Sequence, residues 1–226
     1  MDPLPSRRRL LIGALALPLL GLPACTTVGD YAGPGLAESV RRLLTASSQR
    51  AFARLLTEEG FFADDLARVD LPRQLERSGA IAAALLRTNA VRQQLLSLMN
   101  RAASEAADAA APIVYATIRD MSIADAAGLA RGGPTAATDH LQRVMGTAIV
   151  DAMFPGVGSA LRLLDNGVIN QLARAATGID FSGLQRHVAE EAAAGIYRAI
   201  GREEAAIRAN PGAIGDPLIA RLFGGR

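Results

Sequence analysis

The chain has no lysine and no tryptophan, one cysteine and two histidines, and only 4% of its residues are aromatic. Each shortage closes off a class of function. A single thiol, Cys25, cannot form an internal disulfide, so no covalent staple is expected even in an oxidising compartment. His140 and His187 stand far apart, and neither has a second histidine or a cysteine at ligand spacing, so no zinc site is expected. Asp64 and Asp65 are adjacent rather than clustered as a calcium loop requires. Gly156 and Gly158 lack the third glycine and the preceding strand of a phosphate-binding turn. No metal and no organic cofactor is expected.

Scarce aromatic rings also leave little to stack on nucleic-acid bases. The pI of about 9.2 points the other way until the leader is considered. Of 24 basic and 22 acidic side chains, Arg7, Arg8, Arg9 and Asp2 fall within residues 1–24, so the remainder carries 21 of each sign. A formally neutral body has no long-range field to attract phosphates, and nucleic acid is excluded as the expected partner. All the basic residues being arginine reads as the codon bias of a GC-rich genome.

What is present begins with the leader. Ser6 to Arg9 form a basic head, and residues 10–22 are apolar apart from Gly13, Pro18 and Gly21. Thirteen residues are too few for a spanning helix, which needs about 20. Pro18 and Pro23 would break a core helix. The pattern is that of a secretory signal peptide over residues 1–24. Leu22-Pro23-Ala24-Cys25 resembles the bacterial lipobox, with leucine three positions before the cysteine and a small residue directly before it. That resemblance implies cleavage before Cys25 and lipidation of its sulfur, with attachment to the membrane through acyl chains. Thr26 stands where an aspartate retains many lipoproteins on the inner membrane, so the expected address is the periplasmic face of the outer membrane. Arg7 and Arg8, followed by Leu10 and Leu11, also resemble a twin-arginine export signal, although an ordinary basic head fits equally well.

After a Gly-, Pro- and Thr-containing tether over residues 25–35, helical periodicity takes over. Leu36, Val40, Leu43, Leu44, Ser47, Ala51, Leu55 and Leu56 share one face, and Gly60 ends that element. A connecting stretch follows, and Pro72 suits the first turn of another helix. Val91, Leu95, Leu98, Met99, Ala102, Ala106 and Ala110 form a second stripe, which Pro112 is expected to kink or interrupt. Ser122-x-x-Asp125 reads as a capping box. Gly132-Gly133-Pro134 reads as a stop followed by a start, and Pro155-Gly156 as a break before helix over residues 161–175. Asp180 is a candidate cap for a long helix whose buried face carries Leu184, Val188, Ala192, Ile196, Ile200, Glu203 and Ile207. Asn210-Pro211 ends it, and Asp216-Pro217 caps a short final helix closed by Gly224. No alternating strand pattern appears. The predicted fold is all-α, a single domain over residues 36–226 built as a bundle of roughly seven to nine helices.

LMNRAASEAADAAAPI, MSIAD, GGPTAATDHLQR, INQL and EEAAIRANPGAIGDPLIARLFG occur in that order. Together they resemble the bacterial domain of unknown function 4197, departing from its pattern at Ser104 and His140. The resemblance implies a helical fold and an envelope location, and it implies no activity, substrate or cofactor.

Three polar groups are candidate sites. Asn100, Arg101 and Glu105 border the alanine-rich face and read as a site for an anionic ligand, as a surface ion pair four residues apart, or as a buried link between helices. Glu204, Arg208 and Asn210 close the last long helix; they suit a helix pair and a helix end, or a contact with another envelope protein. Thr138-Asp139-His140 has the residue types of a catalytic set, but neighbours on a helix diverge by about a hundred degrees, so Asp139 does not orient His140. No catalytic residues are assigned. The expected function is a non-enzymatic adaptor or structural module of the envelope, held by its membrane anchor and meeting an envelope protein. A carrier or sensor of a lipid between helices is the alternative, and a hydrolase with an unfamiliar site stands behind both.

Overall fold

The computed structural model describes residues 34–73, 83–84, 86–163 and 181–224. Among them the chain is mostly helical, without strands. The first apolar stripe becomes α1 (Pro34–Leu55), in which Val40, Leu43, Leu44, Ser47, Ala51 and Leu55 are fully buried. Leu56 falls beyond the last turn and is 38% exposed. Gly60 opens the one-turn α2 (Gly60–Ala63) rather than merely ending α1. A side chain there would run into the carbonyls of Arg54 and Leu55, so the chain turns tightly only with glycine.

The second stripe forms α3 (Asn89–Asp120), which runs through Pro112 as one element instead of breaking there. Pro112 and Asp108 are both exposed, so the carbonyl deprived of its N–H partner lies on the solvent side, where water can satisfy it. After a turn comes α4 (Ala126–Arg131), which starts three residues later than a capping box opened by Ser122 would place it: Asp125 is the N-cap, accepting the Gly128 N–H at 2.8 Å. Then α5 (Ala136–Met145) leads to Gly146, whose φ of 54° is left-handed and stops the helix.

The break predicted at Pro155-Gly156 is therefore misplaced. It lies at Gly146, and α6 (Ala148–Leu163) passes through Pro155. Pro155 sits on the exposed stripe of α6 with Asp151, Ser159 and Arg162, again freeing a carbonyl on the water side. The long helix is α7 (Phe181–Ala209), followed by a 3-10 turn (Pro211–Ile214) and by α8 (Pro217–Phe223). Asp216 caps α8 by accepting from Leu218 N at 2.8 Å and Ile219 N at 3.2 Å, and Gly224 closes it. Asp180, the INQL stretch, the rest of the predicted 161–175 helix and the helix expected after Pro72 fall wholly or largely outside the described residues.

Among the described residues, each of the eight α-helices contributes buried apolar side chains to one core. Its largest contact is α3 against α6, and its next are α1 and α6 against α7. Small residues permit the first of these. A Cβ on Gly156 would stand only 3.3 Å from that of Ala106, so the two helices approach as closely as their backbones allow. No single helix among the described residues is long and apolar enough to cross a membrane.

Candidate functional site

Two helix ends meet where Gly132, Gly133 and Pro134 reverse the chain. The last carbonyls of α4 and the first N–H groups of α5 have no partners within their own helices. Both sets are met by one turn of α7. Glu204, fully buried, accepts from Ala137 N at 3.0 Å, from Thr138 N at 2.7 Å and from the Thr138 hydroxyl at 2.6 Å. Arg208, with its side chain 8% exposed, donates to the carbonyls of Ala130 and Leu129, each at 2.9 Å. The two bind one another, Arg208 Nε to Glu204 Oε1 at 2.8 Å, and Arg208 lies 4.7 Å above the Phe223 ring of α8. The carboxylate meets the positive end of α5 and the guanidinium the negative end of α4, so each charge is stabilised by a dipole as well as by its partner.

The Glu204-Arg208-Asn210 group is thus divided. Glu204 and Arg208 are interior and committed to internal bonds, which leaves them unable to present a surface to a partner. Asn210 alone is exposed, just beyond the end of α7. Asn100, Arg101 and Glu105 also part company. Asn100 is buried; its Oδ1 accepts from Val69 N at 2.8 Å, and its Nδ2 donates to the carbonyls of Val69 at 2.9 Å and Leu96 at 2.8 Å. Arg101 turns outward to Glu58 at 3.5 Å, and Glu105 is exposed. Of the three readings, the buried link describes Asn100, whereas Arg101 and Glu105 face outward.

Val69 belongs to a segment, residues 64–70, that lacks regular structure and is held by side chains instead. Arg202 of α7 grips Asp64, with Nη1 at 2.9 Å from Oδ1, and Arg198 donates to the carbonyl of Leu66. His187 Nε2 is 2.9 Å from the carbonyl of Asp70; a carbonyl only accepts, so that nitrogen carries the proton. Gly195 lets Ala67 touch α7, because a Cβ there would stand 2.6 Å from its carbonyl oxygen. Arg54 of α1 pairs with Glu203 beside this row. The hydrogen bond from Arg202 holds the Asp64 carboxyl below the usual carboxylate range against its desolvation, and raises Arg202 in turn.

Between α5 and α7, above the Glu204 contact, lies an open cleft of about 480 Å³. Thr138, Asp139 and Gln142 form one wall; Tyr197, Arg198 and Arg202 form the other. Tyr197 is 7% exposed, and its hydroxyl has no partner among the described residues; burial pushes it up to about 12. In this wall the Thr138 hydroxyl is committed to Glu204, and Asp139 accepts from the Thr135 hydroxyl at 3.2 Å, leaving His140 unoriented by it. Among the described residues no three His, Cys, Asp or Glu side chains gather as metal ligands would. Cys25, Arg7 and Arg8 lie outside the described residues.

The clamp around the glycine turn was hidden from sequence because its partners are some 66 residues apart. One signal was available. Two consecutive acids, Glu203 and Glu204, occupy or adjoin the apolar face of α7, and charges placed there require partners.

The family model described as "Protein of unknown function (DUF4197)" matches residues 31–224. No curated protein and no solved structure matches.

Proposed function

This chain is a member of the DUF4197 family of proteins of unknown function, and on that premise we propose that it is a lipid-anchored helical module of the bacterial envelope, acting by binding rather than by chemistry. The anchor is the lipidated Cys25 behind a cleaved leader, and the helical body stands on the periplasmic side, at the outer membrane. One observation carries the binding role. Three of the buried polar side chains are spent on helix ends and on main chain: Glu204 and Arg208 on α5 and α4, Asn100 on Val69. A carboxylate that accepts three protein donors and a guanidinium has its acceptor sites occupied, and it is poorly placed to reach a substrate.

The surface best suited to a partner is the cleft between α5 and α7, which presents both signs of charge beside small side chains. A second reading, a carrier of a small apolar ligand, draws on the same cleft and on its unpartnered Tyr197 hydroxyl.

Two measurements test this. Cys25→Ser should move the protein from the membrane fraction to the soluble fraction, and the natural product should show acyl mass on its N-terminal cysteine; a bare thiol behind an uncut leader overturns the anchor. A photo-crosslinking residue at Gln142, on the cleft wall, should trap one defined envelope protein in cells. Native mass spectrometry showing co-purified lipid instead, with no cross-linked product, would favour the carrier.

A further inference from the structure

We infer that α4 and α5, residues 126–145, form a latched lid that opens as a unit while the rest of the bundle stays folded, and that the Glu204–Arg208 pair is its latch.

The apolar attachment of this segment is thin. Its buried apolar side chains are Ala126 and Ala130 on α4 and Ala137, Leu141 and Met145 on α5, so only two are large. By contrast, α3 buries Leu95, Leu96, Leu98, Met99, Val114 and Ile118, each a substantial apolar side chain. Stability within a fold follows such burial, and cooperative units with few apolar contacts open first.

Both ends of the segment are built to turn. Ala124 and Asp125 are exposed ahead of α4, and Gly146 and Thr147 are exposed after α5, with Gly146 at φ 54°. Within the segment, Gly133 has nothing within 4 Å of where its Cβ would be. The closed position is specified chiefly at the tip. There Glu204 takes the N–H groups of Ala137 and Thr138 while Arg208 takes the carbonyls of Leu129 and Ala130. A buried ion pair contributes orientation more than net stability, because desolvation offsets most of its attraction. It holds the segment in one place without making it hard to release.

The latch is shared. Arg208 also stacks on Phe223, and Asp216, the cap of α8, pairs with Arg42 of α1 at 3.1 Å. Docking of α8 therefore supports the closed lid from behind. When the lid lifts, it uncovers the faces of α1, α3 and α7 against which α4 and α5 pack, and it widens the cleft of which α5 is one wall.

Hydrogen exchange read by mass spectrometry on the full chain tests this without any ligand or anchor. In the unaltered protein, amides of residues 128–145 should exchange through an opening that depends weakly on urea, while those of residues 95–118 exchange only with global unfolding and a steep urea slope. Glu204→Gln should speed exchange across residues 128–145 by about tenfold or more while their urea dependence stays weaker than that of residues 95–118. Phe223→Leu, a milder change, should act in the same direction on the same residues. Equal urea slopes for the two regions in the unaltered protein would overturn the lid, whether or not the variants fold. So would exchange of residues 128–145 that neither variant speeds.

Discussion

The side-chain amide of Asn100 meets the main chain of Val69 at both of its polar atoms, accepting its N–H at 2.8 Å and donating to its carbonyl at 2.9 Å. The amide thus stands in for a neighbouring strand, and it lets Val69 lie buried against α3 with both its main-chain groups partnered.

Asn100→Leu, similar in size and apolar, should therefore be costly. It strands the N–H and the carbonyl of Val69 in the interior, which is worth about 2–6 kcal/mol when each buried group costs about 1–3 kcal/mol. Urea unfolding followed by circular dichroism measures it. A loss below that of a surface substitution such as Glu105→Gln would mean that Val69 finds other partners.

Removal of one member of the Glu204–Arg208 pair leaves the other buried and unpaired. Glu204→Ala and Arg208→Ala should each lose about 3–5 kcal/mol. The double variant Glu204→Gln with Arg208→Met should lose less than the sum of its single changes, because one desolvated charge no longer accuses the other. An additive double-mutant cycle would contradict the direct coupling seen here.

The glycines divide sharply. Gly195→Ala brings a Cβ to 2.6 Å from the Ala67 carbonyl oxygen and 2.9 Å from its Cα, main chain that cannot swing aside. It should cost about 1–3 kcal/mol. Gly133→Ala meets nothing within 4 Å and should change stability little, or raise it by a few tenths of a kcal/mol through the unfolded state. Thermal midpoints of the two variants should fall on opposite sides of, or well apart from, one another.

Acid should unlock the hold on residues 64–70. The folded Asp64 carboxyl is held below its unfolded value of about 3.9, chiefly by the hydrogen bond from Arg202. Its contribution is therefore present above that value and is lost as pH falls through the lower, folded one. Asp64→Asn should flatten the fall in urea midpoint between about pH 5 and pH 2. An unchanged acid limb would refute the assignment.

Tyr197 gives the complementary case at high pH. Its hydroxyl is buried without a partner and pushed up to about 12, so the neutral phenol is favoured in the fold. That contribution is complete below the unfolded value of about 10 and disappears as pH rises through the folded one. Tyr197→Phe should be neutral or slightly stabilising at pH 7, since it removes an unsatisfied polar atom, and should remove the late tyrosinate transition in ultraviolet titration.

Most elements were legible before any coordinates. The stripes of α1, α3 and α7 face inward as their periodicity required, and Asp216 caps α8 with Gly224 closing it. The prolines misled. A break is expected at Pro155 and a kink or interruption at Pro112, yet each lies on an exposed helix face where water can meet the freed carbonyl, and the stop before Ala148 is the left-handed Gly146. Exposure of a position depends on what packs beside it, so a local rule about proline could not tell these cases apart.

The candidate polar groups were found, but their roles were not. Arg101 and Glu105 are four residues apart, yet Arg101 pairs with Glu58 from another part of the chain. Glu204 and Arg208 are likewise four apart and do bind each other, and each also reaches a helix end far away in sequence.

Helix content and the inward faces were determined by the order of residues alone, because periodicity and caps act over a few neighbours. Which polar side chains lie inside, which helix ends they close and how the segment from Asp64 to Asp70 is gripped were decided only in three dimensions. Hydrogen bonds and ion pairs are short-ranged, and only folding brings Val69 to Asn100 or Thr138 to Glu204.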